Sequence, residues 1–152
     1  MGLRSESSSA QALRRQAMET KIVLNPKLVM ERLEKALNDH DAEAFENCLS
    51  PFYLSEQPVH PDRSFRGRER AVKEWEEAFR RVPNLKAEML RCAVHEDTAW
   101  VEWHMHGTRA DKKKLDLWGV AICGVKDDKV TWSHVYLEPV QEPGQGIVSL
   151  TG

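Results

Sequence analysis

Residues 98–108 read Thr98-Ala99-Trp100-Val101-Glu102-Trp103-His104-Met105-His106-Gly107-Thr108, and their period of two decides the fold. Apolar and polar side chains alternating over this length predict a half-buried β-strand. The same period extends on both sides, predicting strands over residues 85–94, 98–108, 115–125 and 129–138. Their separators, His95-Glu96-Asp97, residues 109–114 and Lys126-Asp127-Asp128, are short and polar, as hairpins require. The expectation is an antiparallel meander.

Before residue 85 the period is helical. Asn25-Pro26 reads as a helix start, with Asn25 as N-cap, Pro26 in the first helical position and Leu24 stapled on Val29. Val29, Leu33 and Leu37, with Met30 beside them, form the apolar face, and the helix stops near Asn38-Asp39. Asp41 caps a shorter second helix whose stripe is Ala44, Phe45, Cys48 and Leu49, ended by Ser50-Pro51. Residues 52–60, interrupted by Pro58 and followed by Pro61, read as a short edge strand and loop. Gly67 precedes a third helix with Val72, Trp75, Phe79 and Val82 on one face, and Pro83 ends it. Its charged side, which includes Arg70 and Glu74, reads as solvated. The fold class is α+β: three N-terminal helices packed on one face of a curved, mainly antiparallel sheet. Residues 25–139 form the domain, between tails at 1–24 and 140–152.

Composition narrows the partners. A chain of 152 residues with 41% apolar content fits one domain with a moderate core. Its longest apolar run, residues 117–125, is nine residues, against the roughly 20 needed to span a bilayer. With 22 Lys and Arg against 24 Asp and Glu, no positive excess is available for nucleic acid. Cys48, Cys92 and Cys123 are an odd set without a C-x-x-C pair, which fits buried thiols in a reducing, cytoplasmic compartment. The serine- and arginine-rich segment before residue 25 reads as a frayed or loosely helical tail. It is short for a transit peptide and carries Glu6 and Glu19. The end of the chain, with Pro143, Gly144 and Gly146, reads as a flexible tail.

Four strings carry a resemblance. Leu37-Asn38-Asp39-His40-Asp41 joins two helices, Phe65-Arg66-Gly67-Arg68-Glu69 enters the third, residues 101–108 form a V-x-W-x-x-x-G-T strand, and Asp127-Asp128-Lys129-Val130 makes a turn. In that order the chain resembles the nuclear transport factor 2-like superfamily, including SnoaL-like polyketide cyclases and ketosteroid isomerase. The resemblance covers about residues 25–139 and implies a cone-shaped α+β barrel around a pocket. It does not carry the catalytic groups. The positions matching ketosteroid isomerase's tyrosine, base and protonated acid hold Leu33, Gln57 and Ala121 (or Val120), and the SnoaL-like aspartate also falls near Ala121.

Strand parity then sets the chemistry, because a one-residue shift exchanges the two sheet faces. One face combines Val101, Trp103 and Met105 with Leu117, Gly119, Ala121 and Cys123, then Ser133, Val135 and Leu137. The other combines Glu102, His104 and His106 with Asp116, Trp118, Val120 and Ile122, then Trp132, His134 and Tyr136. The resemblance places the first toward the helices as the pocket lining and the second outside, as a homodimer face. An aromatic outer face also argues for burial by a partner. The alternative face-in reading makes His104, His106 and His134 a convergent zinc set. Two-residue histidine spacing is common without metal, so the reading retained is interface histidines, with no metal and no cofactor.

The expected ligand pocket combines Tyr53, Gln57, Trp75, Trp103 and Leu137 around a hydrophobic small molecule. His60 is the candidate catalytic acid or base, since imidazole titrates near neutrality. His40 and His95 read as surface residues. Two functions compete: an isomerase, cyclase or hydratase acting on a hydrophobic metabolite, and a non-catalytic ligand-binding or dimerisation module.

Overall fold

In the computed structural model, residues 7–144 and 146–152 are described. The chain order is α1 (Ser8–Asn38), α2 (Ala42–Asn47), β1 (Leu49–Glu56), a 3-10 turn (Pro61–Arg63), β2 (Phe65–Arg66), α3 (Arg68–Arg81), β3 (Lys86–His95), β4 (Thr98–Thr108), β5 (Lys114–Lys126), β6 (Lys129–Pro139) and α4 (Ile147–Leu150). The strands form one curved sheet in the order β2-β1-β6-β5-β4-β3. β1 runs parallel to β6 and every other pairing is antiparallel. The sheet is open, with β2 and β3 at its edges.

The meander lies within a residue of its expected bounds because each connection carries its own turn chemistry. Asp127 and Asp128 both take positive φ, 51° and 60°, as a tight two-residue hairpin requires. Burial alternates along β4: Ala99, Val101, Trp103 and Met105 are buried, whereas Trp100 is exposed. Their backs join Val29, Met30 and Leu37 of α1 in one core.

Three expectations are corrected. α1 does not begin at Asn25-Pro26 but runs from Ser8 with Pro26 inside it. Pro26 lacks the N–H of a helical bond, yet its ring is fully buried. A proline at a first helical position and one inside a longer helix leave the same local signal. The expected Leu24 staple involves a side chain outside those described, and residues 1–6 of the N-terminal tail also lie outside. The second correction concerns the segment from Leu49. It is an interior strand between β2 and β6, and Pro51 falls in the register shift between Leu49 and Leu54, where no ladder bond is needed. The third is His40. It is half-buried, takes φ 52°, stacks on Phe79 with ring centroids 4.5 Å apart, and bonds the Leu85 carbonyl through Nε2 at 2.8 Å.

Gly67 is the N-cap of α3, and its φ of 104° disfavours a side chain. That turn lays the apolar stripe of α3 over the sheet. Among the described residues, no helix is long and apolar enough to cross a membrane.

Candidate functional site

The inner face of the sheet and the three helices do not fill the space between them. A cavity of about 310 Å³ remains. β4 contributes Trp103 and Met105 to its wall, β5 contributes Ala121 and Cys123, and β6 contributes Ser133, Val135 and Leu137. Trp103 is paired across the ladder with Gly119 and Val101 with Ala121, so small residues on β5 leave room beside the Trp103 ring. Helices supply Leu33, Phe45, Ala71 and Trp75. The wall is apolar with few polar groups, the composition of a small-molecule site.

Those polar groups lie in two places. Deep in the cavity the hydroxyls of Tyr53 and Ser133 hydrogen-bond to each other, and both residues are buried. Burial pushes the Tyr53 phenol up to about 12, against the lowering effect of its Ser133 and Ser55 hydrogen bonds. It is therefore neutral at pH 7. Ser55, also buried and in the cavity wall, makes this a cluster of three hydroxyls, and where the two serines donate to the phenol oxygen its own proton remains to donate. Nearer the surface stand Gln57 and Glu74. Glu74 accepts from Arg70 Nε at 3.3 Å, and the Arg70 guanidinium sits 4.7 Å from the centre of the Phe65 ring. The Glu74 charge is close enough to raise the Tyr53 phenol further. The wall thus combines one exposed carboxylate at its rim with a buried cluster of three hydroxyls.

Tyr53, Gln57, Trp75, Trp103 and Leu137, the expected pocket residues, all line this cavity. Leu33, Gln57 and Ala121, which stand where the isomerase pattern has its catalytic groups, line it as well. His60 does not belong to the wall. It precedes the 3-10 turn, and its Nε2 bonds Glu138 Oε1 at 2.6 Å. That partner holds the imidazole against the end of β6, away from the residues that line the cavity. The charged side of α3 reads as solvated, and Glu74 is indeed exposed, with 53% of its side chain accessible, while it also borders the cavity. The signal was present: Glu74 is three residues after Ala71 and four before Ala78, and both alanines line the same wall.

His104, His106, Trp118, Trp132, His134 and Tyr136 stand on the opposite sheet face, Trp118 with 46% of its surface exposed and Tyr136 with 37%. The three histidines do not converge. His134 pairs with Glu56, Nε2 to Oε2 at 3.0 Å, across the β1–β6 ladder. His104 and His106 instead meet Glu88 of β3, and His104 Nε2 bonds Asp116 Oδ1 at 2.7 Å. His95 is exposed, beside Glu96.

A family model for the SnoaL-like domain matches residues 30–133. None of the curated proteins compared matches the chain. Among solved structures, an LEH-like epoxide hydrolase of M. tuberculosis has a TM-score of 0.67 at 16% identity, covering 76% of this chain and 84% of that one. A candidate SnoaL-like polyketide cyclase from Jannaschia sp. CCS1 has 0.67 at 16% identity, covering 77% and 88%. A candidate ketosteroid isomerase from Kribbella flavida DSM 17836 has 0.65 at 19% identity, covering 84% and 88%. At these identities the likeness is one of fold.

Proposed function

The chain belongs to the SnoaL-like domain family, and from that premise we propose that it binds a hydrophobic small molecule in the cavity and performs cofactor-independent acid/base chemistry on it, of the isomerase, cyclase or hydratase kind. The observation that carries this reading is the pairing of Glu74 with the Tyr53–Ser133 hydroxyls around one apolar cavity. Glu74 takes the proton. The spare phenol proton of the cluster donates to the oxygen on which negative charge develops. Gln57 and Trp75 orient the substrate, and the role first given to His60 passes to Glu74.

Exchange of α-protons in D2O, followed by NMR on a panel of hydrophobic cyclic ketones, tests the base directly. Wild-type protein exchanges the α-proton of a bound ketone, Glu74→Gln loses that exchange while still binding, and Ala121→Trp, which fills the cavity, loses both. Failure of every ketone to bind would remove the cavity reading. Binding without exchange would favour the second reading, a non-catalytic ligand-binding module, which draws support from Leu33, Gln57 and Ala121 standing where relatives of this fold are expected to carry catalytic groups.

We also infer a homodimer through the outer sheet face. Trp100, Trp118 and Tyr136 are large, exposed and on one surface, the composition of an interface core rather than of a solvated sheet. The three free cysteines fit a cytoplasmic setting.

A further inference from the structure

On the outer face, away from the cavity, three side chains from two strands turn toward a common point. Glu88 of β3 is cross-strand partner to His104 of β4, and His106 follows two residues later on the same face. Glu88 Oε2 lies 3.5 Å from His104 Nδ1 and 3.7 Å from His106 Nε2. One ligand atom from each of the three residues lies within 4.8 Å of the others. Tetrahedral coordination with bonds of about 2.0–2.1 Å places ligand atoms about 3.3–3.4 Å apart. The two carboxylate–imidazole separations are within a few tenths of an ångström of that value, and rotamer adjustment of half-buried side chains brings in the third.

The surroundings add an independent argument. If His104 ligates through Nδ1, its Nε2 must carry the proton, and Asp116 Oδ1 is there to accept it at 2.7 Å. The same oxygen accepts from Trp118 Nε1 at 3.1 Å, and the Trp118 ring stacks on His104 with centroids 4.1 Å apart. A carboxylate behind a ligating histidine fixes its tautomer and ring orientation and raises its basicity. Lys86 Nζ contacts the other Glu88 oxygen, Oε1, at 3.6 Å, which leaves Oε2 for the cation. A groove bounded by Asn84, Thr108 and Lys114 opens over the two histidines, leaving room for a fourth, solvent ligand.

We propose that Glu88, His104 and His106 form a binding site for a divalent transition-metal cation, zinc by its ligand set, with Asp116 as the residue that positions His104. Two imidazoles, one carboxylate and an open position are a set that zinc accepts. The site joins the edge strand β3 to β4. It is independent of the cavity chemistry, so failure of either reading leaves the other standing, and since His104 stacks on Trp118 of the inferred dimer face the titrations are read together with the association state.

The test uses the full chain without an affinity tag, stripped with chelator and titrated with Co(II) followed optically and with Zn(II) followed by calorimetry. The expected result is saturation at about one equivalent, with the strong visible bands of low-coordinate cobalt and a rise in Tm on adding zinc. Glu88→Gln and His106→Ala, each checked by circular dichroism for an intact fold, lose the bands. Asp116→Asn keeps them but weakens affinity by roughly 10-fold or more. His134→Ala binds as wild type does. Absence of cobalt bands and of a zinc-induced Tm shift would overturn the site, and so would binding that survives His106→Ala or disappears equally in His134→Ala.

Discussion

The side-chain amide of Asn38 closes both backbone hydrogen bonds of Ala87. Its Nδ2 donates to the Ala87 carbonyl at 2.8 Å and its Oδ1 accepts from the Ala87 N–H at 2.7 Å. Ala87 lies on β3, an edge of the sheet, where no further strand is available to take these groups. Two residues along, Glu34 Oε2 accepts from the Met89 N–H at 2.6 Å. Side chains of α1 therefore substitute for a neighbouring strand and blunt an edge that would otherwise template aggregation.

Asn38→Ala should destabilise the fold by about 1–3 kcal/mol, the net worth of two hydrogen bonds at a partly covered site. Urea denaturation measures the loss. Amide exchange locates it, since the Ala87 N–H should lose protection while N–H groups bonded between β4 and β5 keep theirs. Unchanged protection at Ala87 would mean that Asn38 does not cover the edge.

The role of Asn38 marks the limit of what periodicity reveals. The string Leu37-Asn38-Asp39-His40-Asp41 was readable as a helix junction, yet nothing in it says that Asn38 and His40 reach Ala87 and Leu85, more than forty residues later. The meander was legible because hairpin partners are close in sequence and each turn declares itself. β1 reads only as a short edge strand over 52–60, since its partner β6 lies some eighty residues away, Pro51 reads as a helix stop, and Pro58 and Pro61 beyond it read as edge signals. Within the site, parity on β4 gave Trp103 and Met105 together, and a single inward placement fixed the neighbouring strands through their register. Glu74 was hidden by its charged neighbours, and the partners of His60 and His134 could be found only from tertiary contacts.

Two glycines make a contrast in how a methyl group acts. At Gly119 a Cβ would lie 1.9 Å from the Tyr136 carbonyl oxygen and 2.8 Å from the Leu137 Cα, so β5 and β6 would have to separate. Gly119→Ala should cost about 3 kcal/mol or more, at the upper end of overpacking penalties. At Gly67 a Cβ meets open space, and only the φ of 104° resists it. Gly67→Ala should cost about 1–2 kcal/mol of backbone strain. Thermal unfolding of the two variants should rank Gly119→Ala well below Gly67→Ala, and the reverse order would refute the close approach of β5 to β6.

Alkaline pH should destabilise the protein through two buried groups. Burial pushes the Tyr53 phenol from 10.0 to about 12 and the Cys123 thiol from 9.0 to about 12. Between those limits the unfolded chain has released protons that the folded chain still holds. Stability therefore falls as pH rises from about 9 to about 12 and does not respond to these groups below that window, by about 3 kcal/mol through Tyr53 and about 4 kcal/mol through Cys123. Urea midpoints at pH 8 and pH 11 measure the fall, and Tyr53→Phe should make it shallower. A Tyr53→Phe protein with the wild-type slope would mean that the phenol titrates normally.

Trp118 is the strongest test of the outer face because its ring is already fixed before any partner arrives. Asp116 accepts from its Nε1, His104 stacks on it, and 46% of its surface still faces outward. A rigid aromatic loses little conformational freedom on docking, so its buried area converts efficiently into affinity. Trp118→Glu replaces that ring with a charge next to Asp116 and should weaken self-association by about 2 kcal/mol or more, as loss of a central interface aromatic does. Folding stability should also fall, by about 1–2 kcal/mol, because the ring's hydrogen bond to Asp116 and its stack on His104 are lost, so circular dichroism first checks that the variant is folded. Sedimentation velocity at micromolar concentration should then give a dimer for the wild type and a monomer for the variant. If the wild type already sediments as a monomer, the aromatic face has no second copy to meet, and the exposure of Trp100, Trp118 and Tyr136 has to be explained by a partner of another kind.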